Sequence, residues 1–210
     1  MNVIKINQRK NVEPIIKKIA ETVKQGKVII YPTDTVYGLG ANVYDKNVIE
    51  RIYQIKGREK NHPFSIIIGN VLDLKELIEE IHQPAIILME KFWPGALTLI
   101  FKSSLKLKDK LPVDRENIGV RLPNNKICGF LTKFCGYPII STSANLSGGK
   151  APYSIEEIPQ EIKTSCDIII DTGKIRSKGE STIIDVSTPI PKIIREGGIP
   201  MEEIRKYIKI

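Results

Sequence analysis

The residues of this chain best suited to chemistry are cations and hydroxyls delivered in small groups. Lys56-Gly57-Arg58 sets a compact ammonium beside a planar guanidinium fork, a combination that suits a phosphate chain or a carboxylate. Ser141, Thr142, Ser143 and Asn145 form a second group, ahead of Gly148 and Gly149. A turn there can aim hydroxyls, an amide and backbone N–H groups at anionic oxygens. Arg121 stands in the apolar run from Ile118 to Leu122. An unpaired guanidinium is costly to bury, so either a structural carboxylate or a bound one must answer it. Arg195, after Ile193 and Ile194 and before Gly197-Gly198, raises the same requirement, and Ser181 opens a strand-like segment. Each group also has a plainer reading, because cations near helix ends complement the dipole, Ser/Thr/Asn clusters cap turns, and buried arginines serve structural ion pairs.

The elements that must position these groups follow from periodicity. Val28 to Tyr31 is a short apolar run that reads as a buried strand bounded by Pro32. The loop after it, PTDTVYGLG, carries Thr33, Thr35 and Tyr37 as hydrogen-bonding groups, with Gly38 and Gly40 permitting unusual backbone angles or close ligand approach. Asp45 can cap a helix whose apolar residues Val48, Ile49, Ile52 and Tyr53 share a face and whose C-terminal end delivers Lys56 and Arg58. Upstream, Asn11 can cap a packing helix that runs to Gly26. Downstream, Ile66–Ile68 is expected as a strand, Leu72–Ile81 as a helix, Pro84–Phe92 as a helix broken by Trp93-Pro94-Gly95, and Ala96–Phe101 as a strand. Beside such a break, Trp93 is expected to pack against the core or the helix end. Ser103–Asn117, with Lys106, Lys108 and Lys110, is expected as a mobile surface loop. Ile118–Leu122 then reads as a strand, followed by a helix through Phe134 and a buried run entering Ser141. Strands near Asp167–Asp171, Ser181–Val186 and Ile193–Ile194 and a helix at Met201–Ile208 complete an α/β pattern: a mixed twisted sheet with helices packed on it, residues 1–210 forming a single domain.

Composition narrows the classes. Lysine and arginine number 32 against 24 aspartates and glutamates, a net charge of +8, which suits a nucleotide or RNA and equally a lysine-rich solvated surface. The odd set Cys128, Cys135 and Cys166 lacks the close pairs of a zinc site, so buried thiols in a reduced, cytoplasmic setting are expected, with no protein metal site. No apolar run approaches a membrane span. No Walker A loop occurs, since Gly149-Lys150 is followed by Ala151, and no Ser-His-Asp order or H-E-x-x-H is present. His62, beside Pro63, reads as an exposed loop residue and not a catalytic base.

The PTDTVYGLG loop, the K-G-R triplet, a G-V-R-L-P at Gly119–Pro123 and the STSANLSG at Ser141–Gly148, in this order, resemble the signature set of the YrdC-like family, from about Val12 to Arg195. That family's members are threonylcarbamoyl-AMP synthases. The resemblance implies a YrdC-like fold with a basic concave cavity, and synthesis of threonylcarbamoyl-AMP and pyrophosphate from L-threonine, bicarbonate and ATP. It implies magnesium (Mg2+), bound mainly through the ATP phosphates, and a downstream tRNA threonylcarbamoyl transferase complex, with tRNA itself a possible partner. Carried over by motif, Lys56, Arg58, Ser143 and Asn145 would handle ATP, Lys56 and Arg58 as the catalytic pair, and Arg195 would reach the nucleotide. Thr33 and Thr35 would belong to the threonine-side loop, Arg121 would clamp the amino acid's carboxylate, and Ser141 and Ser181 would line that site. Some relatives carry a histidine where this chain has Ile66, Ile67 and Ile68. Some carry an extra C-terminal domain, which this chain is expected to lack. Two other readings stay open: a double-stranded RNA or tRNA-binding module that makes no adenylate, and a carbamoyl-transfer accessory domain like that of the hydrogenase-maturation carbamoyltransferases.

Overall fold

Short β-branched runs interrupted by amphipathic stretches can bury both surfaces of a sheet only if helices cover them. The computed structural model describes residues 2–58, 64–111 and 116–210. Its strands are β1 (Asn2–Lys5), β2 (Ile29–Pro32), β3 (Tyr37–Gly40), β4 (Ser65–Ile67), β5 (Leu97–Lys102), β6 (Asn117–Arg121), β7 (Ile139–Ser143), β8 (Ile168–Asp171), β9 (Thr182–Asp185) and β10 (Lys192–Arg195). Its helices are α1 (Glu13–Lys24), α2 (Lys46–Lys56), α3 (Leu74–Leu77), α4 (Gln83–Phe92), α5 (Leu105–Lys110), α6 (Lys126–Cys135), α7 (Gln160–Ser165) and α8 (Met201–Arg205). The strands form one mixed sheet in the order β1-β8-β2-β3-β7-β4-β6-β5-β9-β10, the mixed α/β architecture expected.

Strand alternation decides where the site lies. Ile30, Leu39, Ile66, Leu99, Val120, Ile140 and Ile184 share one core with apolar residues of α2, α3, α4, α5, α7 and α8. Their neighbours Ile29, Tyr31, Ile67 and Ile139 belong to a second core, built with α1 and α6. Since successive side chains point to opposite faces, this second core marks the other side of the sheet. Among the described residues it takes none from β5, β6 or β9. There the corresponding positions are Thr98, Gly119, Arg121 and Ile183, so a polar trough replaces the core.

Several expectations change. The segment read as a glycine-rich loop is partly strand: β2 and β3 pair antiparallel, with Pro32 opposite Tyr37 and Ile29 opposite Gly40. Gly40 makes room for a side chain and not for a ligand, because a Cβ there would lie 2.7 Å from Cε1 of the fully buried Tyr31. Gly40→Ala is therefore expected to cost about 1–3 kcal/mol, read as a lowered midpoint in denaturant. Ser141, Thr142 and Ser143 likewise lie in β7 and not in a turn after it.

The helix expected over Leu72–Ile81 is a 3-10 turn at Val71–Asp73 running into α3, which ends at Leu77. Ile78 turns extended and bridges Ser103, so a strand-like contact overrides helical spacing. The expected loop Ser103–Asn117 contains α5, capped by the Ser104 hydroxyl and pinned by buried Leu107. Residues 112–115 of that segment, with His62 and Pro63, lie outside the described residues. Asn11 does accept the Glu13 N–H, one residue ahead of the cap position. Trp93 packs against the core and donates its indole N–H to the Leu97 carbonyl at 2.8 Å. All three cysteines are free and buried. Among the described residues no helix is long and apolar enough to cross a membrane.

Candidate functional site

The trough closes into a cavity of about 180 Å³ that gathers side chains from distant parts of the chain. Arg58, Arg121 and Arg195 all line it. So do the hydroxyl residues Thr33, Thr35, Ser141, Ser143 and Ser181. Its floor is kept low by small residues: Ser65 pairs with Ser141 across β4 and β7, and a Cβ on neighbouring Gly119 would fall 2.7 Å from the Ser65 hydroxyl.

Helix α2 sets the first cation pair. Asp45 caps it by accepting the Asn47 and Val48 N–H groups, and Gly57 ends it in the left-handed region, φ 57°. The Arg58 N–H returns to the Tyr53 carbonyl, so the two cations diverge across this cap. Arg58 reaches the cavity, its guanidinium 5.4 Å from the centre of the Phe64 ring. Lys56 turns inward and is buried. Its Nζ donates to the Ser143 carbonyl at 2.6 Å, the Asn145 carbonyl at 2.9 Å and Asn145 Oδ1 at 3.1 Å. An ammonium has only three N–H groups, so Lys56 spends them all on the protein. Burial, and then the adjacent Arg58 charge, bring its pKa from 10.5 down to about 8, against an upward push from Glu180. Ser143 donates its hydroxyl to Asn145 Oδ1 at 2.6 Å, and the Asn145 amide donates to the Gly149 carbonyl. Lys56 and Asn145 thus brace the wall that presents Ser143.

At the other end, Arg121 is buried and the structure supplies its counter-ion. Nη2 meets Asp34 Oδ1 at 2.5 Å, Nη1 donates to Thr35 Oγ1 at 2.8 Å, and Nε donates to the Gly95 carbonyl at 2.9 Å. Thr33 donates its hydroxyl to the Val36 carbonyl at 2.7 Å and accepts the Thr35 and Val36 N–H groups at 3.0 and 3.1 Å, which fills both of its lone pairs; the Thr35 hydroxyl lies 3.0 Å away. Thr33 therefore has no proton to offer a ligand, whereas Thr35, which accepts from Arg121, keeps its own proton beside the cavity. The Thr33 hydroxyl shapes the turn and the Thr35 hydroxyl holds Arg121. Ser181 instead accepts from Thr98 at 2.9 Å, retaining its own proton. Arg195 donates to the Ser181 carbonyl at 2.9 Å and pairs with Glu180 at 3.1 Å.

Sequence reasoning missed Asp34, Ser65, Thr98 and Glu180. Asp34 lay inside the quoted loop and could have been matched to the uncompensated Arg121. Thr98 interrupts Leu97 and Leu99 on the opposite face, a visible alternation. Among the described residues no group of three His, Cys, Asp or Glu gathers as a metal site would require.

The Sua5_yciO_yrdC family model, described as telomere recombination, matches residues 21–197. The threonylcarbamoyl-AMP synthase of Pyrococcus abyssi is 37% identical over 204 residues, covering 97% of this chain and 60% of the relative. That of Bacillus subtilis is 34% identical over 197 residues, covering 93% and 57%. The chain thus spans less than two thirds of either relative's length. The structure of P. abyssi Sua5 complexed with L-threonine has a TM-score of 0.90 at 36% identity, over 98% of this chain and 60% of that one. Escherichia coli YciO gives 0.80 at 32% identity, over 93% and 94%. The YrdC-like fold expected from the motifs is the fold observed. With Thr33, Thr35, Arg58, Arg121, Ser141 and Ser143 of its signature motifs on one cavity and a family model spanning most of its length, the chain belongs to the Sua5/YciO/YrdC family.

Proposed function

We propose that this chain makes threonylcarbamoyl-AMP from L-threonine, bicarbonate and ATP, releasing pyrophosphate. The observation that carries the reading is the convergence of Arg58, Arg121 and Arg195 with serine hydroxyls on one cavity. Carbamate and triphosphate are both anionic, and their reaction asks chiefly for alignment and charge neutralisation. The P. abyssi and B. subtilis relatives are threonylcarbamoyl-AMP synthases, and P. abyssi Sua5 was crystallised with L-threonine, which supports the same substrate here. At about 180 Å³ the enclosed space suits a small amino acid and leaves the nucleotide to lie across the rim.

In this reading the threonine amine adds to carbon dioxide with loss of a proton, or to bicarbonate with loss of water, and the carbamate oxygen attacks the α-phosphorus as the bond to pyrophosphate breaks. Arg121 and Ser181 take the amino-acid end, with Ser141 beside them. Arg58, Ser143 and Arg195 face the phosphates. Lys56 and Asn145 act through Ser143 and not by touching the nucleotide. Magnesium, held mainly by the ATP phosphates, would supply part of the charge neutralisation, the wall itself offering hydroxyls and a single carboxylate, Glu180, among the described residues. The product is a mixed anhydride, to be consumed by a tRNA threonylcarbamoyl transferase complex.

The Lys56 brace needs a protonated amine. Turnover is therefore expected to fall as pH rises through about 8, the group's lowered pKa. Stability carried by this group moves the other way: the unfolded chain holds the proton up to 10.5, so the folded state gains between about 8 and 10.5. A pH–rate profile measured alongside melting curves separates the two. The direct test supplies ATP, magnesium, bicarbonate and single amino acids and follows pyrophosphate and adenylate. Threonine-selective turnover supports the enzyme; salt-sensitive RNA binding with no amino-acid dependence would favour the RNA-binding module.

A further inference from the structure

Arg121 and Arg195 each meet a carboxylate of the chain itself, and the two pairs differ in burial. In the Arg121–Asp34 pair the side chains are 8% and 14% exposed; in the Arg195–Glu180 pair they are 39% and 36% exposed. Breaking a buried pair strands an uncompensated charge, whereas a pair in contact with water exchanges partners at little cost. The first pair is a fixed part of the wall. The second is a replaceable contact.

Glu180 is well placed to be replaced. It is the one carboxylate among the described residues of the cavity lining, and its charge is felt by Lys56. Its backbone is clamped: the Gly198 N–H donates to the Glu180 carbonyl at 2.7 Å, and a Cβ on Gly197 would lie 2.4 Å from the same oxygen. Removing the carboxylate from Arg195 is therefore a side-chain rotation on a fixed backbone, a fast motion for an exposed residue.

We infer that Glu180 is a resident anion of the nucleotide end, holding Arg195 until a polyphosphate displaces it and so setting both affinity and selectivity. The inference rests on the reading of this cavity as an ATP site and adds to it a residue that discriminates by charge. A singly charged anion offers Arg195 no more than Glu180 already does. A triphosphate offers more, and only differential affinity can shift the pairing.

The test is calorimetric titration of the full chain with ATP at fixed excess magnesium, comparing wild type with Glu180→Gln, which is close in shape and partly exposed. Melting curves verify folding of both. The variant is expected to bind ATP about two- to fivefold more tightly, with the gap narrowing as salt screens the competition and with threonine affinity unchanged. Equal or weaker ATP binding by the variant overturns the inference. So does a raised magnesium requirement of the variant when the titration is repeated over a series of magnesium concentrations, which would make Glu180 a metal ligand. If the wild type binds no ATP, the functional reading falls and this inference falls with it.

Discussion

Replacing Arg121 with alanine is expected to destabilise the fold by about 3 kcal/mol and to abolish threonine-dependent pyrophosphate release. The stability loss follows from burial: Asp34, 14% exposed, would lose a partner held at 2.5 Å and keep its charge. The Thr35 hydroxyl, which accepts from Arg121 Nη1, would lose its donor at the same time. Urea denaturation measures the first effect. The double variant Arg121→Ala with Asp34→Asn is expected to recover much of the stability, because no charge is left unpaired, and none of the activity. Wild-type midpoints in the single variant would show that the pair is not the wall described above.

Arg58→Ala is expected to do the reverse, lowering threonine-dependent pyrophosphate release by about 10²–10³-fold with little change in melting temperature. The cap that positions Arg58 is made of backbone: Gly57 in the left-handed region and the Arg58 N–H on the Tyr53 carbonyl. Alanine keeps both. It removes a guanidinium from the cavity wall and a contact over Phe64. Retained turnover would exclude Arg58 from charge stabilisation.

Much of this arrangement was legible in the sequence, for identifiable reasons. Asp45, the apolar face of α2 and Gly57 form a complete local signal, so the delivery of Lys56 and Arg58 could be read directly. Their divergence could not. It depends on β7 lying where the Lys56 ammonium finds three acceptors, a long-range fact with no local trace. Arg121 announced that it needed a carboxylate, but the partner sits 87 positions away. β1 was missed because Asn2–Lys5 is a largely exposed edge strand without alternation, defined by its pairing with β8. α5 was missed because the lysines around Leu107 masked one anchoring leucine.

The strand order has one more consequence, for a chain still being made. β9 and β10 are synthesised late, yet β9 docks beside β5 and β10 on β9, which brings Ser181, just ahead of β9, and Arg195 of β10 to a wall whose opposite side was translated long before. Since nascent chains emerge N-terminus first, a ribosome-bound fragment holds only part of the receptor. A fragment ending before β9 therefore lacks two of the groups that line the cavity.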